Sequence, residues 1–111
     1  MALPEPRRAE LWYAAVPTDK RRPVLVMTRD PMGRHLASVI CAPVTSTVRG
    51  ISTEVPLGVD NGLAHASVAN FDNLLLIPRA NLLRRLGRAT DEQMALACTA
   101  VGIAVGCRPR R

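Results

Sequence analysis

Two short polar segments carry residue types suited to phosphate chemistry, Lys20-Arg21-Arg22-Pro23 and Thr45-Ser46-Thr47-Val48-Arg49. A guanidinium is a planar fork of donors that pairs with two phosphate oxygens and stabilises the charge added at a pentacoordinate phosphorus. Arg22 directly precedes Pro23, and a proline ring biases the residue before it toward extended backbone, so the Arg22 side chain projects in a fixed direction. A hydroxyl at Thr45 can donate to the same phosphate or position an attacking group. Each segment adjoins an apolar run, and in an antiparallel pair the start of one strand lies beside the end of its neighbour, so the two segments converge at one rim. Taken alone, Arg22 reads more readily as a solvated loop cation than as a functional group.

Other chemistries find less support. His35 and His65 are the only histidines, and a histidine pair can act as base and acid in RNA cleavage, but both fall in expected loops and nothing places them together. There is no nucleotide-binding Gly-rich loop, no His-Glu-x-x-His and no Gly-x-Ser-x-Gly. Asp30, Glu54, Asp60 and Asp72 are scattered singly, which gives a two-metal site no basis. Cys41, Cys98 and Cys107 lack a C-x-x-C pair, so neither a disulfide framework nor a thiolate zinc site is indicated. No metal or cofactor is expected. Trp12, Tyr13 and Phe71 are too few to stack several bases.

The elements that must position these residues are mostly strands. Glu10–Val16, Pro23–Thr28 and Ser38–Val44 read as strands, the second and third as buried apolar runs. Asp30-Pro31 and Gly33 break the chain between them. Ile51–Leu57 alternates apolar and polar as a half-buried strand does. Ser67–Ile77 holds at least one more strand, Pro78 ends it, a short helical or turn segment covers 80–84, and Arg85–Arg88 is a last short strand. Thr90–Val105 is a helix opened by a capping box, Thr90 with Gln93, and by Asp91 and Glu92 at the positive end of the dipole. Its apolar stripe is Met94, Ala97, Cys98, Val101, Ala104 and Val105, with Cys98 as core filling. Strands without intervening helices exclude parallel βαβ units. The expectation is an α+β fold, mainly β, in the form of a small antiparallel barrel or half-barrel followed by a helix.

At 111 residues the chain is a single domain, 1–111, with flexible tails at 1–8 and 107–111. Fifteen Lys and Arg against nine Asp and Glu give a formal charge of +6, and all the cations but Lys20 are Arg. That excess favours a polyanionic partner, nucleic acid before membrane, although an Arg-rich genome explains part of it. The polar, proline-containing start lacks a signal peptide's apolar centre, and the least polar run, Met94–Gly106, is short of the roughly 20 residues that span a bilayer. A cytoplasmic location fits, with no membrane partner.

In these segments the sequence resembles the MazF/PemK family of toxin endoribonucleases. The resemblance rests on Glu10-Leu-Trp-Tyr13, Arg21-Arg-Pro-Val-Leu-Val26, Ala42-Pro-Val-Thr-Ser-Thr47 with Arg49-Gly50, Thr53-Glu-Val-Pro-Leu57, Asn70-Phe-Asp-Asn73 and Arg84-Arg-Leu-Gly-Arg88. It implies an SH3-like barrel, a homodimer, and metal-independent cleavage of single-stranded RNA by the ribose 2′-hydroxyl, leaving a 2′,3′-cyclic phosphate and a 5′-hydroxyl. A cognate antitoxin is the implied protein partner. Matched residue by residue, the family's catalytic Arg and Thr fall on Arg22 and Thr45, with Lys20, Arg21, Ser46, Thr47 and Arg49 along the RNA path. Asp72 and Asn73 are candidates to read base edges, or a turn capped by its own side chains. Two places depart from the family: the loop before Arg21 is short and carries only Asp19 as an acid, and Phe71-Asp72-Asn73-Leu74 stands where Glu-Gln-Ile-Arg is usual. Two rival readings are a gyrase-poison-like inhibitor that docks through the C-terminal helix, and an RNA-binding module without cleavage. Neither requires both Arg22 and Thr45.

Overall fold

The computed structural model describes residues 2–17 and 19–107. Seven strands precede one helix: β1 (Glu10–Ala15), β2 (Arg21–Val26), β3 (Ser38–Thr45), β4 (Glu54–Leu57), β5 (Ser67–Asn70), β6 (Leu75–Pro78), β7 (Leu82–Arg88) and α1 (Asp91–Ala104). All pairings are antiparallel, in the order β4-β5-β3-β2-β1-β7, with β6 also on β3. The sheet is barrel-like without closing, since no ladder among the described residues joins β4, β6 and β7 to one another. Shifts of register between β1 and β7 at Leu11/Trp12 and Tyr13/Ala14 add local twist.

The period of two along each strand sorts side chains onto two faces. Leu11, Leu25, Ala42, Val44, Val55, Ala69 and Phe71 form one core with Met94, Ala97 and Ala100 of α1. Their neighbours Val24, Val26, Val39, Cys41, Ile77 and Leu82 form a second cluster on the other face. The small Ala97 and Ala100 let the helix lie close to the sheet.

Three expectations are refined in detail. Strand β4 starts at Glu54 because Ile51–Thr53 is a turn closed by the Glu54 amide on the Ile51 carbonyl, 3.0 Å. The 67–77 stretch is split into β5 and β6 by a single 3₁₀ turn at Phe71–Asn73, where the Asn70 side chain accepts from the Asp72 amide. Of the helical or turn segment expected at 80–84 the turn is found, a single one at Arg79–Asn81, and β7 starts at Leu82 rather than Arg85 because its pairing with β1 overrides the helix propensity of its Leu and Arg residues. The Glu10–Arg85 ion pair, 2.7 Å, crosses that ladder.

The capping box at Thr90 is made in both directions, 3.1 Å to the Gln93 amide and 2.9 Å back from Gln93 Oε1. Cys98, expected in the core, is exposed, as is Val105, because the buried face of the helix follows Met94, Ala97 and Ala100, the last of these outside the expected stripe. The Cys98 thiol instead meets Arg8 Nη2 at 3.1 Å. Residues 4–8, assigned to a tail from sequence, run against the body: Arg79 Nε donates to the Pro4 carbonyl, 2.8 Å, and the Arg8 amide donates to Asp30, 2.9 Å. The tail expected at 107–111 lies, beyond Cys107, outside the described residues. No helix among the described residues is long and apolar enough to cross a membrane.

Burial pushes the Cys41 thiol from 9.0 to about 12, while Cys98 and Cys107 are exposed. Because the thiolate is the reactive form, native protein at pH 8 should release the colour of two thiols in a disulfide-exchange titration, and three after denaturation. Three fast thiols in the native state would contradict the packing around β3.

Candidate active site

The rim where β2, β3, β5 and β4 lie side by side gathers the polar residues. The β2–β3 register pairs Val24 with Pro43, and followed two residues outward it sets Arg22 beside Thr45. On the other side Val44 pairs with Ala69, and Asn70 lies directly opposite Glu54. Val24, Cys41, Ala69 and Val55 show which face each strand presents, so the alternation puts Arg22, Thr45, Asn70 and Glu54 all on the face away from α1.

There they line a cleft of about 230 Å³ together with Pro43, Thr47, Arg49 and Asn73. Five sequence-derived candidates, Arg22, Thr45, Thr47, Arg49 and Asn73, are thus brought together. Lys20, Arg21, Ser46 and Asp72 are exposed and stand outside the lining. Arg21 takes the opposite face of β2 from Arg22 by alternation. His35 and His65 are exposed on separate loops, and neither lines the cleft.

Of the two arginines in the cleft, Arg22 is the more buried. Its Nη2 pairs with Asp19 Oδ2 at 3.0 Å, with 21% of the Arg22 side chain and 44% of Asp19 exposed, and its Nε is buried with no partner among the described residues. An ion pair this open contributes less to stability, about 0–1 kcal/mol, than to orientation. Asp19 also accepts from the Lys20 amide, 2.7 Å, so the acid of the short loop closes the turn and steers Arg22 together. Thr45 Oγ1 accepts from the Thr47 amide at 3.1 Å, which leaves its hydroxyl proton to donate into the cleft.

Glu54 and Asn70 were not picked out from sequence, although the alternation of 51–57 places Glu54 on the polar face. What the sequence hides is the pairing that sets Glu54 across from Asn70. Glu54 is 9% exposed; its Oε1 accepts from the amides of Arg49 and Gly50, both at 3.0 Å, and its Oε2 is buried without a partner. The Glu54 carboxylate therefore pins the loop that carries Arg49. Asn70 Oδ1 accepts from the Asp72 amide, 2.9 Å, which assigns Nδ2 as its free end. Asp72 is held from behind by Thr53 Oγ1, 2.6 Å, leaving Asn73 as the residue of that turn over the cleft.

A second hollow of about 320 Å³ adjoins the first, sharing Arg22, Pro43 and Asn73 and adding Val16, Asp19 and Leu75. Arg22 stands in the wall between a polar compartment and a more apolar one. Among the described residues, no three His, Cys, Asp or Glu side chains gather in a way that could hold a metal.

The chain is similar to known proteins over most of its length. A family profile described as PemK-like, MazF-like toxin of type II toxin–antitoxin system matches residues 7–105. A probable endoribonuclease MazF2 of Mycobacterium tuberculosis is 39% identical over 102 residues, which cover 91% of this chain and 99% of that protein. The solved structure of Mycobacterium tuberculosis toxin MazF-mt6 superposes with a TM-score of 0.84 at 39% identity, covering 89% of this chain and 98% of that one. An endoribonuclease in complex with its cognate antitoxin, from a Mycobacterial species, superposes with a TM-score of 0.83 at 28% identity over 95% and 99% of the two chains.

The double hydrogen bond from the loop to Glu54 Oε1 has a measurable consequence. Glu54→Ala should leave two donors unpaired, cost about 1–3 kcal/mol and speed hydrogen exchange at the Arg49 and Gly50 amides by tenfold or more, with β1 and α1 amides shifting only by the global loss. Unchanged exchange at those two amides would show that Glu54 does not hold the loop.

Proposed function

The chain belongs to the PemK-like, MazF-like toxins of type II toxin–antitoxin systems, and we propose that it is a metal-independent endoribonuclease whose scissile phosphate lies between Arg22 and Thr45. The observation that carries this reading is that Arg22, whose Nε is buried without a partner, and Thr45 line one cleft. A phosphate oxygen is the acceptor this donor lacks.

In the proposed step the ribose 2′-oxygen gives up its proton and attacks the adjacent phosphorus. The bond from phosphorus to the 5′-oxygen breaks, and that oxygen takes up a proton. A 2′,3′-cyclic phosphate and a 5′-hydroxyl result, with no water consumed. Arg22 donates to a non-bridging oxygen, where charge grows as phosphorus becomes pentacoordinate. The Thr45 hydroxyl donates to the same phosphate, its rotamer held by the Thr47 amide. Arg49, Arg21, Lys20, Ser46 and Thr47 neutralise or hydrogen-bond the flanking backbone of single-stranded RNA.

The partner in the cell is a cognate antitoxin, as in the antitoxin complex of the Mycobacterial endoribonuclease. The toxin acts in the cytoplasm as a homodimer. The surface supporting a second copy is the cross-strand pair Ile40 and Leu76, 45% and 63% exposed, beside β6, which among the described residues pairs with β3 alone.

The test is cleavage of a long RNA in EDTA with the ends mapped. Wild type should cut at selected sequences and leave 5′-hydroxyl ends. Arg22→Ala and Thr45→Ala should each lose at least about 10²-fold in rate while keeping the fold and antitoxin binding. Cleavage retained in both variants would overturn the site. No cleavage by folded wild type would overturn the activity.

A further inference from the structure

The cleavage step assigns no role to Glu54, yet Glu54 carries the other orphan atom of the cleft. Glu54 is 9% exposed, one oxygen accepts from two loop amides, and Oε2 is buried with no partner among the described residues. A buried carboxylate oxygen without a donor is costly, so what fills the cleft should bring an N–H or O–H to that point.

The donor does not come from Arg22. Strands β3 and β5 lie between β2 and β4, three strand steps or about 14 Å at the Cα atoms. Glu54 also repels a phosphate. With the phosphate at Arg22, Glu54 stands at the distance of a neighbouring base, and Asn70 is its cross-strand partner, with Oδ1 taken up by the Asp72 amide, so that Nδ2 is the end of Asn70 left to donate.

We infer that Glu54 and Asn70 form a base-selecting subsite that takes a nucleobase bearing an exocyclic amino group and rejects uracil at one position beside the cut. This rests on the cleavage reading of the same cleft. The discrimination is electrostatic. The amino groups of cytosine, adenine and guanine offer N–H donors to a single carboxylate oxygen. The only ring N–H that uracil can donate sits between two carbonyl oxygens, and both repel the carboxylate. Nδ2 of Asn70 then donates to the ring nitrogen acceptor next to the amino group.

Glu54→Gln tests this cleanly, because Gln can keep Oε1 as acceptor for the Arg49 and Gly50 amides and replaces Oε2 with a donor. Cleavage sites in a randomised RNA pool are mapped for wild type and Glu54→Gln, and uncleavable oligonucleotides with one 2′-deoxynucleotide at the cut are titrated with both proteins. Wild type should disfavour uracil at one flanking position by about tenfold or more, and Glu54→Gln should lose or reverse that preference there alone. A uniform fall in rate with the base pattern unchanged would overturn the subsite and leave Glu54 as a loop anchor. Binding with the predicted preference but no cleavage would overturn the catalytic reading and keep the subsite. No uracil discrimination by wild type in either assay would overturn the subsite outright.

Discussion

Strand β3 is hydrogen-bonded to three neighbours, to β2 at residues 41–43, to β6 at 38–41 and to β5 at 44–45. Every polar group of the cleft is referred to it by register. Arg22 reaches the rim because β2 runs past Pro43; Asn70 and Glu54 reach it because β5 and β4 continue the sheet on the far side. A slip of one residue in any of these ladders would exchange the two faces and send Arg22 or Glu54 toward the helix-covered core. The two apolar clusters, one on each face, resist such a slip, since each strand supplies residues to both or would bury charge by shifting.

Within that frame the cleft holds back two polar atoms that the rest of the protein leaves unmatched, a donor on Arg22 and an acceptor on Glu54. Folded proteins pair nearly all such atoms, and leaving one unpaired lowers stability by about 1–3 kcal/mol. The loss is tolerated where a ligand restores the pairing, which is the trade between stability and function expected of a binding site. The remaining groups of the site are tied down: Thr45 by Thr47, Asn70 by Asp72, the Arg49 loop by Glu54, Arg22 by Asp19. The short loop before Arg21, a departure from the family pattern, still supplies the acid that orients the guanidinium.

Much of this was legible in the sequence. Arg22 before Pro23 and Thr45 after an apolar run pointed to one rim, and the antiparallel rule brought them together before any pairing was known. The capping box at Thr90 and Gln93 marked the helix start. The losses have physical causes. Leu82–Arg88 has helix-forming composition and no alternation, and only the partner strand β1 makes it a strand. The helix stripe was ambiguous because Ala97, Cys98, Val101 and Val105 are all small or apolar, and only contact with the sheet decides which turn inward. Glu54 went unread because an isolated carboxylate gives no signal until β4 and β5 set it opposite Asn70, a contact sixteen residues apart in the chain.

The central claim is that the free Nε–H of Arg22 is the donor that meets the scissile phosphate. The most direct measurement is the ¹H–¹⁵N resonance of Arg22 Nε during titration with a single-stranded RNA carrying one 2′-deoxynucleotide at the cut. The account predicts a downfield shift and slowed solvent exchange at Arg22 Nε that saturate with binding, as a charge-assisted hydrogen bond forms. Saturated RNA binding that leaves the Arg22 Nε resonance unmoved would contradict it.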